Sequence, residues 1–96
     1  MYDFEWHPAK AASNLRKHEI DFNLAATVFA DPLASTVRDG DHTESEDRWV
    51  TVGESRRGQL LVVCYTLRQT DDGTTVRIIS ARRATRNERQ QYESGR

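Results

Sequence analysis

The sequence predicts an α+β fold, with two N-terminal helices packed on a small, mostly antiparallel sheet and one C-terminal helix. Three observations carry that expectation. The first thirty residues pass from strand-like alternation to helical spacing, punctuated by Pro8 and Asp31-Pro32. The middle consists of short alternating runs divided by polar turns, the pattern of a meander. Thr85-x-x-Glu88 then opens a last helical segment that closes at Gly95.

Each element follows from its residues. Tyr2, Phe4 and Trp6 alternate with Asp3 and Glu5, a short strand with one buried face. Pro8 suits the first turn of a helix running to His18, although His7 lacks the short oxygen-bearing side chain that caps prefer. Ala11, Ala12 and Leu15 form its apolar stripe; Lys10, Asn14, Lys17 and His18 form a broad polar face. Asp21 caps a second short helix that buries Leu24, Ala25, Val28 and Phe29, and Asp31-Pro32 ends it. Leu33 to Arg38 reads as a strand, 39–47 as a polar acidic loop, and Arg48 to Glu54 as an alternating strand. Arg56-Arg57-Gly58 makes a turn, and Gln59 to Leu67, apolar on both faces, reads as a central strand. Asp72-Gly73 is a hairpin signal leading into Thr75 to Ala81. By alternation Arg77 shares a face with Ile79 and Ala81, and Ser80 lies on the opposite one.

Composition bounds the function. The 96 residues suffice for a single domain, 1–96, with one compact core. A formal charge of −1 argues against indiscriminate nucleic-acid binding, but the charge is segregated. Six Arg and two Glu follow Val76, whereas five acids and no Lys or Arg lie between Asp39 and Asp47. Cys64 is the single cysteine, which excludes an internal disulfide. No signal segment or membrane-length apolar run occurs, so the expected location is cytoplasmic. Phosphate-cradling glycine loops and nucleophile elbows are absent, and His7, His18, His42 and Cys64 lack metal-ligand spacing; no metal and no cofactor is expected.

Two sets of residues point to oxyanion chemistry. Arg77, Ser80, Arg82 and Arg83 concentrate at a strand-to-helix junction, where planar guanidinium forks suit phosphate or carboxylate. Arg82, Arg86 and Arg89 also fall at helical spacing. The second set, Lys10, Asn14, Lys17 and His18, offers a polyanion-binding face with one group able to move a proton near neutrality.

The stretch Phe4-Glu5-Trp6-x-Pro8-x-Lys10-x-x-x-Asn14-x-x-Lys17-His18-x-Ile20-x-Phe22 resembles the BrnT family of bacterial toxins. The resemblance continues through Ala25-x-x-Val28-Phe29-x-Asp31-Pro32, Arg48 and Leu61-Val62-Val63-x-Tyr65-Thr66. It ends with Arg77-Ile78-Ile79-Ser80-Ala81-Arg82-x-Ala84 and Glu88-x-x-x-Tyr92. It implies a RelE-like fold and a metal-independent endoribonuclease toxin of a type II toxin–antitoxin system. Arg82 and Arg77 would stabilise the phosphate, with Arg48 and Lys10 as further electrostatic candidates and His18 as general acid or base. Lys17, Asn14, Ser80, Arg83 and Tyr92 would bind RNA. The implied partners are RNA and a BrnA-like antitoxin in a 2:2 heterotetramer, which reaches DNA only through the antitoxin; no membrane is involved. The competing expectation is a non-catalytic module whose basic face docks that antitoxin. His7 stands where the family usually has Asp, and Glu19 where it usually has Gly, so the first helix is expected to be weakened or altered.

Overall fold

The computed structural model describes residues 2–39 and 48–95, and the acidic stretch expected as a loop lies mostly outside the described residues. Five strands form one mixed sheet: β1 (Tyr2–Glu5), β2 (Ser35–Asp39), β3 (Arg48–Glu54), β4 (Leu60–Thr70) and β5 (Gly73–Arg83). Their order is β1-β5-β4-β3-β2; β1 runs parallel to β5 and every other pairing is antiparallel. The helices are α1 (Pro8–His18), α2 (Phe22–Ala26), which passes into a 3-10 turn at Thr27–Ala30, and α3 (Arg86–Ser94). β4 is the central strand that its double-sided apolar pattern predicted.

One face of the sheet carries the core. Leu61, Val63 and Tyr65 of β4 and Val76, Ile78 and Ala81 of β5 pack against Ile20, Phe22, Leu24, Ala25 and Val28. Trp6 and Trp49 are half-buried at its margin, as core rather than surface aromatics. Phe29 meets Tyr65 edge-on, with ring centroids 4.9 Å apart, a favoured aromatic geometry. Gly53 admits the close approach of β3 to the 3-10 turn, since a Cβ there would sit 3.2 Å from the Val28 carbonyl oxygen.

Helix α1 departs from its sequence reading. Ala12 and Leu15 are exposed, and Asn14 alone among its residues is buried. The reason lies at the sheet edge. β1 accompanies β5 only from Thr74 to Arg77, which leaves the backbone beyond without a strand neighbour. The Asn14 carboxamide takes that place: it donates to Ala81 O (2.8 Å) and accepts from Ala81 N–H (3.1 Å). A further bond to Ile20 O (3.1 Å) fixes the chain leaving the helix. The helix is held by this side chain satisfying buried backbone, together with Ala11, which packs against the core.

Both unusual helix ends are also resolved. His7 does cap α1, its Nδ1 accepting from Ala9 N–H at 3.1 Å. Imidazole reaches because Nδ1 lies as near the backbone as a carboxylate oxygen would. Glu19 occupies the left-handed C-cap (φ 59°, ψ 29°) and donates its N–H to Leu15 O, a conformation that favours glycine. The hairpin between β4 and β5 turns on Asp71-Asp72, with Gly73 already paired to Thr70 as the first residue of β5.

Candidate active site on the open sheet face

The register of β4 on β5 is irregular between Cys64 and Tyr65, where β5 carries one extra residue. Cys64 pairs with Ser80 but Tyr65 pairs with Ile78, leaving Ile79 as a bulge. This resets the alternation. Arg77, opposite Thr66, and Ser80 and Arg82, opposite Cys64 and Val62, all come to the face away from the core. Uninterrupted alternation would have put Arg77 and Ser80 on opposite sides.

Arg77 belongs to a row that crosses all five strands: Asp39, Arg48, Thr66, Arg77 and Glu5 are successive pairing partners. Arg68, two residues beyond Thr66 on β4, shares this face. Glu5 bridges two of its cations, taking Arg77 on Oε2 and Arg68 on Oε1, each at 3.0 Å. The alternation Cys64, Thr66, Arg68 along β4 is the sequence signal that places Arg68 here.

Arg82 is held in a fixed geometry. Its Nη1 and Nη2 donate to Glu88 Oε1 and Oε2 at 2.7 and 2.8 Å, a bidentate fork. Glu88 is in turn fixed by the capping box, accepting from Thr85 N–H at 2.8 Å while Thr85 Oγ1 accepts from Glu88 N–H. The fork, against the opposing effect of burial, holds the Glu88 carboxyl down at about 2 and raises Arg82 further. The helix therefore begins at Arg86, and Arg82 is a strand residue rather than the first of a helical arginine face.

Beside these groups lies a cavity of about 510 Å³, floored by Val37, Val50, Val62 and Cys64 and bordered by Ser80 and Arg82. Burial raises the Cys64 thiol above its ordinary value; Arg48 opposes that rise and Asp39 adds to it. Among the described residues no three His, Cys, Asp or Glu side chains converge as a metal site.

The remaining expected site residues divide. Lys10 and His18 stand one turn either side of Asn14, and Lys17 three residues beyond it; all three are exposed on the flank of α1 that Asn14 turns toward the β5 edge. Asn14 itself is enclosed, and its carboxamide is spent on backbone, so it does not belong to an exposed RNA-binding face. Tyr92 is likewise buried, and its hydroxyl donates to Asp31 Oδ2 at 2.6 Å. The same Asp31 oxygen accepts from Glu54 N–H, which ties α3 to β3. Arg83 pairs with Leu61 and so faces the helix side, where it lines a shallow cavity with Leu15, Arg56 and Arg57. Adjacent strand residues point to opposite faces, so Arg82 and Arg83 do not converge on one phosphate.

A family model described as the ribonuclease toxin BrnT of type II toxin–antitoxin systems matches residues 6–88. The fold is similar to the crystal structure of the Brucella abortus ribonuclease toxin, BrnT, with a TM-score of 0.63 at 20% identity, covering 90% of this chain and 99% of that one. No curated protein matches the chain.

Proposed function

This chain belongs to the BrnT family of ribonuclease toxins of type II toxin–antitoxin systems, and on that premise we propose that it is a metal-independent endoribonuclease acting in the cytoplasm. The observation that carries the reading is the bulge-driven gathering of Arg77, Ser80 and Arg82 on one exposed face, with Arg48 in the same row as Arg77. In the proposed reaction the RNA 2′-hydroxyl attacks the adjacent phosphorus in line. The bond to the 5′-oxygen breaks, leaving a 2′,3′-cyclic phosphate and a 5′-hydroxyl end. Negative charge grows on the phosphate oxygens in the transition state, and fixed guanidinium donors stabilise it without needing to reorganise. Arg82 and Arg77 take that role, with Arg48 and Lys10 adding positive potential. His18 moves the proton from the attacking hydroxyl or to the leaving oxygen, a contribution of about 10²–10⁴-fold. The Glu88 carboxylate supports the assignment of Arg82, because a planar pair of oxygens already sits in the fork that a phosphate would engage.

The proposal extends to the partner: a BrnA-like antitoxin covers this face, two toxins joining two antitoxins, with DNA contacted through the antitoxin alone. One observation favours a second reading, a docking module without catalysis. Arg77 and Arg82 are each already paired with a carboxylate, which is how an acidic partner segment would hold them.

The test is cleavage of RNA by the purified protein in EDTA, with the product ends mapped, for wild type, Arg82→Ala and His18→Ala. Cyclic-phosphate ends from wild type alone are expected. Folded variants that cut as well as wild type overturn the site, and activity that needs added Mg²⁺ overturns metal independence. Intact RNA combined with tight antitoxin binding selects the docking reading.

A further inference from the structure

We infer that the cavity on the open sheet face is a base-binding subsite, which holds the nucleobase of the RNA nucleotide whose phosphate lies at Ser80 and Arg82; this rests on the ribonuclease reading. The ladder places the parts. Val37, Val50, Cys64 and Ser80 are successive pairing partners across four strands, and Val62 pairs with Arg82 in the next row. Neighbouring strands lie about 4.8 Å apart, so the floor begins one strand from Ser80, passes Val50 at roughly 10 Å and ends at Val37, roughly 14 Å away. One nucleotide, from its phosphate to the far edge of its base, fits within that length.

The chemistry of the cavity fits a heteroaromatic ring. Its floor is aliphatic, three valines and a thiol, while its border carries the Ser80 hydroxyl, the Arg82 guanidinium and the Glu88 carboxylate, with Arg38 and Asp39 at the β2 end. An apolar surface with a few oriented polar groups is the usual form of a small-ligand site, and base edges supply both donors and acceptors to match. An aliphatic side chain would leave that border unused. The volume of about 510 Å³ exceeds what one base requires, leaving space for its ribose. Arg38 and Arg82 on the lining are balanced by Asp39 and Glu88, so the cavity has no net formal charge and suits a neutral base. Glu88 Oε2 accepts one bond only, from Arg82 Nη2, among the described residues. A phosphate that takes the Arg82 fork releases that oxygen, which then favours a base bearing an exocyclic amino group, that is adenine, cytosine or guanine over uracil.

Cys64, the only cysteine, is a built-in reporter on the floor. The full chain is treated with N-ethylmaleimide at mildly alkaline pH in the presence of each of the four nucleoside 3′-monophosphates, or of inorganic phosphate. Alkylation is expected to slow several-fold with the amino-bearing nucleotides, less with the uridine one, and not with phosphate. Failure of all four to protect, or equal protection by phosphate, overturns the inference. Should Cys64 react too slowly to follow, Val37→Cys in a Cys64→Ser background reports on the same cavity. Val50→Trp, checked for native circular dichroism, fills the floor and is expected to abolish protection and change the base preference at RNA cut sites; an unchanged preference counts against the subsite. RNA cleavage without protection rejects the subsite and leaves the ribonuclease standing. Protection without cleavage keeps the subsite and rejects catalysis.

Discussion

Replacing Asn14 with alanine strands three buried backbone groups at once: Ala81 N–H, Ala81 C=O and Ile20 C=O. Each lost bond removes about 1 kcal/mol net, and orphaned buried partners add desolvation, for a total of roughly 3–5 kcal/mol. Domains of this size are stable by about 5–15 kcal/mol, so the change consumes a large part of the total. At about 4–8 °C per kcal/mol, Tm should fall by roughly 12–40 °C. Urea and thermal unfolding followed by circular dichroism measure this directly. Asn14→Asp is the informative companion: it keeps an acceptor for Ala81 N–H but turns a carboxylate toward two carbonyl oxygens, so at neutral pH it should be at least as unstable. The reasoning is refuted if Asn14→Ala unfolds within about 1 kcal/mol of wild type while RNA binding falls. That outcome would restore Asn14 to the exposed RNA-contacting face that its helical spacing suggested.

Three further perturbations test other parts of the structure. Glu19→Gly relieves a left-handed non-glycine conformation and removes a negative charge from a helix C-terminus; a gain of about 1 kcal/mol is expected by thermal unfolding, and an equal gain from Glu19→Ala would mean that charge, not backbone, is responsible. Glu88 is held at about 2 in the folded protein, below its usual value near 4.5, so its contribution is present above the usual value and is lost as pH falls toward 2. Allowing for the partly exposed Arg82, Glu88→Gln should therefore lower stability by about 1–2 kcal/mol at neutral pH, with the gap to wild type closing in acid; a gap independent of pH would contradict the ion pair. His7→Asp substitutes a preferred cap for a serviceable one and should stabilise α1 by about 0.5 kcal/mol, read as a small rise in Tm; an unchanged Tm would show that Nδ1 caps as well as a carboxylate does, and a fall that it caps better.

Much of the fold was legible because local rules and tertiary packing agree there. Pro8 starts α1, Asp21 caps α2, Thr85 and Glu88 form their box, and β4 is central as its apolar runs required. The candidate site was legible as a set of residue types. The surroundings of each residue were not, because the sequence shows Asn14 and Tyr92 as polar and aromatic positions on amphipathic helices and gives no sign of what they face. Only the folded chain brings Asn14 to the β5 edge and Tyr92 to Asp31. The helix-facing turn of Arg83 and the role of Arg68 similarly depend on strand pairing across the sheet.

The sequence by itself determined the element types, the family and the accumulation of guanidinium groups near the start of the last helix. Periodicity, caps and short motifs are local properties, carried by residues within a few positions of one another. The tertiary structure decided which cations lie on one face. That choice turns on a single extra residue at Ile79, which reverses the phase of β5 so that Arg77, Ser80 and Arg82 emerge together. A bulge is a relation between two strands, set by the register in which β4 buries its core face against β5, and no periodicity within one strand encodes it.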